Sequence, residues 1–330
     1  MIEKQIPSTT IIELIKEESN LFHGLTLEVG KTIVGQADIV QAILIAILCD
    51  GHILLEGVPG VAKTTMVKAV AKALGLDFKR IQFTPDLLPS DLIGSLIFNQ
   101  KTHEFETRKG PIFANLILAD EINRAPSKVQ AALLEGMQER QVTIGSTTYP
   151  LDNPFLVFAT QNPIEQEGTY RLPEAQLDRF LFKLSVRYPA IQEEKEIVKR
   201  SSNPIPLSTM VYKEDIKRAH GLVHSVYCDD KVLDYIVNIV FATRAPANYK
   251  LAELTEYIEY GVSPRATLAL YNASKAHAFL KGRHFVTPDD VKAVALWVLG
   301  HRIPLTYHAE AAHVTTDMII KKIINTVPTP

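Results

Sequence analysis

Between residues 53 and 186 the apolar positions fall in short, mostly apolar runs, at 53–55, 78–83, 116–119, 155–159 and 182–186, and helical segments separate them. Runs of this length with little polar alternation suit strands of a parallel sheet covered on both faces, so the pattern predicts a three-layer α/β domain. Upstream, residues 10–29 carry an amphipathic period and read as a lead-in helix, and 39–49 is apolar apart from Gln41. That second segment is well short of the roughly 20 residues needed to cross a bilayer and is expected as a buried helix.

The interval between 83 and 116 is longer than one crossover helix needs. Within it, 95–99 and 104–107 look like strands, so a hairpin inserted in the crossover is expected. A second hairpin is expected from 140–144 and 147–149 across Gly145-Ser146, directly before the run at 155. After Tyr188-Pro189 the character changes: 201–206 reads as a linker, and 213–324 is helical by period, with starts such as Thr287-Pro288-Asp289-Asp290. The expected division is a helical lead-in at 1–29, an α/β nucleotide-binding core at 30–200 carrying both hairpins, and an all-α domain at 201–330.

Composition narrows the function classes. A chain of 330 residues, 46% hydrophobic and 22% charged, can bury two real cores, which argues against disorder. Its formal net charge of −2 supplies no global pull toward nucleic acid or anionic membrane. The start, Met1 to Pro7, lacks the basic and apolar regions of a signal peptide, and Cys49 and Cys228 are far apart, so a reducing cytoplasm is expected. His220, His224 and Cys228 recur at a spacing that could share one helix face, but packed or solvated helix residues explain them as well.

Chemistry enters at the end of the first strand run. An apolar segment leads into Gly57-Val58-Pro59-Gly60-Val61-Ala62-Lys63-Thr64-Thr65, where backbone N–H groups of the turn and of the following helix would cradle phosphate oxygens. Lys63 would reach the β- and γ-phosphates and Thr64 would ligate Mg²⁺. The residue before the lysine is Ala62, where the generic motif has glycine. Asp120 and Glu121 follow the strand run at 116–119: Asp120 would anchor the Mg²⁺ shell and Glu121 would polarise the attacking water. A strand end followed by a helix cap would use carboxylates too. Asn162, at the end of the next run, could sense the γ-phosphate, although Asn-Pro is also a common turn signal. Arg179, in Leu177-Asp178-Arg179-Phe180, suits the charge that develops in phosphoryl transfer, although an arginine beside an aspartate is often a surface ion pair. Arg265, in Ser263-Pro264-Arg265, could fold down on the nucleotide from the helical domain.

In this order the motifs resemble those of the AAA+ ATPases. More narrowly, Gly57 to Thr64, Ala119 to Ala125, Ala159 to Pro163 and Leu172 to Phe180 look like the MoxR family, over a stretch from about Val34 to His301. The resemblance implies a P-loop AAA+ core with a C-terminal all-α lid. It implies Walker A at Lys63 and Thr64, Walker B at Asp120 and Glu121, sensor 1 at Asn162, an arginine finger at Arg179 and sensor 2 at Arg265. Val34-Gly35-Gln36 matches the segment that lies along adenine, and Arg124 could reach across a subunit boundary. Against this family's pattern Ala62 is the ordinary residue, and it is expected at negative φ, with Gly57 and Gly60 taking the demanding turns.

The resemblance also implies ATP with Mg²⁺ as cofactors and a homo-oligomeric ring, hexameric by expectation, in which Arg179 acts in trans. Its clients would be proteins remodelled or matured, with metal or cofactor insertion as one form of the work and a von Willebrand factor A protein as one partner. No such domain is visible in the chain, which reads as a stand-alone motor. Two other readings stay open. A nucleic-acid motor draws on Lys101, His103, Arg108 and Lys109 in the first hairpin, and a switch or small-molecule phosphotransferase would act alone.

Overall fold

The computed structural model describes residues 8–163, 168–201 and 205–330. Residues 1–7, which were read for a leader, and 202–204 of the expected linker lie outside the described residues.

In chain order the strands are β1 (Ile53–Glu56), β2 (Phe78–Gln82), β3 (Gly94–Asn99), β4 (Glu104–Lys109), β5 (Leu116–Asp120), β6 (Gln141–Ile144), β7 (Thr147–Pro150), β8 (Leu156–Gln161) and β9 (Phe182–Ser185). Five of them form a parallel sheet in the order β2-β5-β8-β1-β9. The apolar runs of the central strands β1, β5 and β8 have the predicted cause. Ile53 and Leu55 of β1 join one core with Leu116, Leu118, Leu156 and Phe158, while Leu54 joins the core on the other face with Ile117, Ala119, Val157 and Ala159. Successive side chains of a strand point to opposite faces, so a strand covered on both needs apolar residues throughout.

Both inserted hairpins are present. β3 pairs antiparallel with β4, and β6 with β7. Ala37–Leu48 is a helix buried along most of its length, as its composition requires. The lead-in helix Thr9–Gly30 packs its Phe22 ring edge-on against Phe279 of the C-terminal half, with centroids 6.0 Å apart.

Beyond β9 the chain is helical. Its longer helices are Ile191–Ser201, Lys213–Ser225, Asp230–Arg244, Pro264–Leu280, Pro288–Leu299 and Thr316–Thr326. Their starts are marked by side chains that accept otherwise unpaired backbone N–H groups: Asp229 accepts from Lys231, Ser263 from Arg265, and Thr315 from Met318. At the start of Pro288–Leu299 the Thr287 backbone N–H donates to Asp290 at 2.7 Å.

The histidine and cysteine spacing does not make one face. The helix holding His220 and His224 ends at Ser225, and Cys228 lies beyond its cap, with its sulfur toward the Asp229 carbonyl at 3.8 Å. His220 Nε2 is occupied by the carbonyl of Ile47 at 3.1 Å. Among the described residues no group of three His, Cys, Asp or Glu could hold a metal ion, and no helix is long and apolar enough to cross a membrane.

Candidate functional site

In a parallel sheet the carboxyl ends of the strands open toward the connecting loops, and ligands collect there. Here the ends of β1, β5 and β8 supply one pocket of about 440 Å³, lined by Pro59, Gly60, Ala62, Lys63, Thr64, Thr65, Asp120, Glu121, Thr160 and Asn162. The loop after β1 enters the helix Lys63–Ala73, whose first N–H groups have no side-chain cap. That leaves a cradle of backbone donors, a fit for phosphate oxygens. The ammonium of Lys63 is held at the carbonyl of Gly57 and, at 3.4 Å, that of Gln161.

The loop's geometry corrects one expectation. Ala62 lies at φ 60° and ψ 23°, in the left-handed region. Gly60 also takes positive φ, at 86°, as expected, but Gly57 does not. The chain must make its last reversal at the residue before the helix, so the left-handed angles fall on Ala62. Glycine at 57 answers a different need: a Cβ there would stand 2.7 Å from the carbonyl oxygen of Val186. It lets the loop pass close to the chain leaving β9.

The two carboxylates stand in a network from three strands. Thr160, buried on β8, donates to Asp120 Oδ1 at 2.6 Å and accepts the Glu121 backbone N–H at 2.8 Å. Asp120 Oδ2 accepts from Arg80 Nε at 2.9 Å and Nη2 at 2.6 Å. Arg80 Nη2 also reaches Gln82 Oε1 at 3.0 Å, and Gln82 Nε2 donates to Glu121 Oε2 at 2.7 Å. Arg124 Nε meets the same oxygen at 3.2 Å. Glu121 takes φ 57°, ψ 50°, in the left-handed region.

Arg80, Gln82 and Thr160 were not found from the sequence. A usable signal existed: β2 ends in polar residues on alternate positions, Arg80 and Gln82 flanking the buried Ile81, unlike the apolar runs of the central strands β1 and β5.

The remaining predicted residues lie apart from this pocket. Gly35 and Gln36 line a second cavity of about 470 Å³ with Asp38, Lys183, Tyr188 and Trp297, next to the chain leaving β9. Gln36 Oε1 is buried there and meets no donor among the described residues, which leaves an acceptor for a ligand's N–H or O–H. Val34 is half-buried beside them and does not line that cavity. Arg265 and Asp178 line a third cavity of about 520 Å³, with Arg265 Nη1 3.7 Å from Asp178 Oδ2. Arg179 lines none of the three. Its Nη1 donates to the Leu134 carbonyl of its own chain at 3.0 Å, and its Nε is buried with no partner among the described residues. Val58 and Val61 pack toward the core behind the loop.

The donor set fits a magnesium nucleotide. Thr64 and Asp120 would hold the metal as hard oxygen ligands. When bound, the metal would neutralise charge on the phosphates, and Glu121 could take a proton from water beside them.

Residues 52–182 match the model of the ATPase family associated with various cellular activities (AAA), and 252–323 match the AAA lid domain. The chain is 48% identical to Chaperone MoxR1 of Mycobacterium tuberculosis, an alignment covering 92% of this chain and 81% of that protein. It is 47% identical to the uncharacterised protein YeaC of Bacillus subtilis, covering 92% of each. A crystal structure of a protein from Cytophaga hutchinsonii superposes with a TM-score of 0.91 at 51% identity, covering 96% of this chain and 98% of the other. Relatives that match over nearly the whole length, together with a phosphate loop and paired carboxylates at the ends of a parallel sheet, make this chain an ATP-hydrolysing enzyme that belongs to the MoxR family of AAA+ ATPases.

Proposed function

We propose that this ATPase is a chaperone-like motor, working as a ring in which each nucleotide pocket is completed by Arg179 of the neighbouring copy. Hydrolysis of Mg²⁺-ATP drives the remodelling or maturation of partner proteins. The observation that carries the reading is the partition of the site: Lys63, Thr64, Asp120, Glu121 and Asn162 share one pocket, while Arg179 lies outside it against Leu134. A guanidinium so placed is of little use to its own pocket and is available to another. The name of the relative MoxR1 supports the chaperone output. In this reading Lys63 and the loop's N–H groups bind phosphate, Thr64 and Asp120 hold Mg²⁺, Glu121 activates water and Asn162 senses the γ-phosphate, while Arg265, which lines a separate cavity with Asp178, couples the lid to the nucleotide. Gly35 and Gln36 would receive the adenine. A hexamer, a von Willebrand factor A partner and metal insertion belong to the same proposal.

Glu121→Gln tests it. The variant should keep ATP bound, lose about 10²- to 10⁴-fold in turnover, and retain client proteins in an ATP-dependent capture. An unchanged turnover overturns the role of Glu121. Capture of DNA, with DNA-stimulated turnover, would turn the reading toward a nucleic-acid motor.

A further inference from the structure

The segment that carries Arg179 is held from the far side by the end of a lid helix. Arg302, just past Pro288–Leu299, is buried, with 4% of its side chain exposed. Its guanidinium has five N–H groups, and each has an acceptor. Nε donates to Asp178 Oδ1 at 2.7 Å, and Nη2 donates to the carbonyls of Phe180 at 2.7 Å and Asp178 at 3.3 Å. Nη1 donates to the carbonyl of Leu181 at 3.1 Å and to that of Val298 in the helix just before it. His301 Nε2 adds a second bond to the Phe180 carbonyl, at 3.0 Å. A carbonyl can only accept, so the imidazole carries its proton on Nε2. Burial, with the charge of Arg302 beside it, pushes His301 well below its ordinary pKa and keeps it neutral. Three of the four carbonyls from Asp178 to Leu181 are therefore fixed to the lid, on both sides of Arg179.

The same anchor reaches a second lid helix. Asp178 Oδ2 accepts the hydroxyl of Ser263 at 2.9 Å and faces Arg265 at 3.7 Å. Asp178 thus joins the start of the helix Pro264–Leu280, where Arg265 stands, to the clamp around Arg179. We infer that Arg302, with His301, is a positioning device for Arg179: it tethers the finger segment, which the core also holds at Leu134 and His52, to the lid of its own subunit, so that the lid's position in one subunit bears on the finger serving the next. This rests on the trans reading of Arg179 proposed above.

The test is complementation in mixed rings. Arg302→Lys keeps a positive charge for Asp178 but cannot hold three carbonyls in one plane. With the full chain it should lower kcat by about 10²-fold, the scale for a catalytic group misplaced by about an ångström, and leave KM for ATP nearly unchanged. The variant should supply a sound pocket and a poor finger. Lys63→Ala should supply the reverse. Mixed in equal amounts, the two inactive chains should regain activity, because roughly a quarter of the interfaces in a random ring pair a sound pocket with a sound finger. A damaged pocket or a generally weakened subunit would not be rescued in this way.

Arg179→Ala mixed with Lys63→Ala is the control. If it fails to recover, the trans reading falls, and the inference with it. If it recovers and the Arg302→Lys mixture does not, the inference alone is overturned. A wild-type kcat in Arg302→Lys also overturns it. Should that variant not fold, as judged by its thermal transition, His301→Ala removes one bond of the clamp together with a buried Nδ1 that meets no partner among the described residues. It should show the same rescue from a smaller deficit, and absence of that rescue overturns the inference.

Discussion

Replacing Ala62 with glycine should leave the fold as stable as before or more so, although it alters the phosphate loop of an ATPase. Ala62 sits at φ 60°, ψ 23°, angles that cost an L-residue with a Cβ about 1–2 kcal/mol. Glycine removes that strain but loosens the unfolded chain, which offsets about 0.4–1 kcal/mol. The net expectation is a gain between about zero and about 1.6 kcal/mol. Two companion substitutions separate the causes within the same loop. Gly60→Ala meets nothing within 4 Å but must hold φ 86°, so it should cost only the conformational term, about 1 kcal/mol. Gly57→Ala has no such strain to bear, yet its Cβ would stand 2.7 Å from the Val186 oxygen and 3.2 Å from the Val186 Cβ. That overlap should cost about 1–3 kcal/mol, because the loop and the chain leaving β9 must part. The assay is urea unfolding of the full chain, followed by the fluorescence of Trp297, the one tryptophan, whose ring lies 5.7 Å from that of Phe182 on β9. A loss of more than about 1 kcal/mol in Ala62→Gly, or no loss in Gly57→Ala, would refute the reasoning.

Removing Arg80 should lower the Mg²⁺ concentration needed for half-maximal ATP turnover by several-fold, because its guanidinium lies 2.6 Å from the Asp120 oxygen that a metal shell would otherwise engage. A magnesium titration of Arg80→Ala checks this, and an unchanged or raised requirement contradicts it. His52 should make stability fall in mild acid. It is buried, accepting from the Val157 N–H at Nδ1 and meeting the Met137 carbonyl at Nε2, and burial, with the charge of Arg140 second, lowers its pKa to about 3. A folded pKa below the unfolded value of about 6.5 means that the contribution is complete above pH ~6.5 and is lost as pH falls toward the folded value, by about 1.4 kcal/mol per unit. His52→Gln keeps one donor and one acceptor without the titration, so its urea midpoint should vary less between pH 6.5 and 4.5; an identical slope would exclude His52 as the source.

Much of this site is legible in the sequence. The phosphate loop, the pair Asp120-Glu121, Asn162 and both hairpins follow from local pattern, because a strand end, a tight turn and a helix start are each encoded within a few neighbouring residues. The polar end of β2 was visible too, but its meaning was not. Gln82 lies beside Asp120 only because β2 pairs with β5 in that register. Arg80 and Gln82 become partners of the two carboxylates through a pairing of segments about 40 residues apart.

Fold class and the chemistry available at the ends of the strands were thus determined by sequence, since hydrophobic period and short motifs are local properties. Which residues share a charge or a carbonyl was decided by tertiary structure. The left-handed angle at Ala62 depends on how the loop must meet the helix after it. The separation of Cys228 from His220 and His224 depends on where that helix stops. The hold of Arg302 on the segment around Arg179 joins residues more than 120 positions apart. Each is a consequence of packing distant segments against one another, and no local periodicity carries that information.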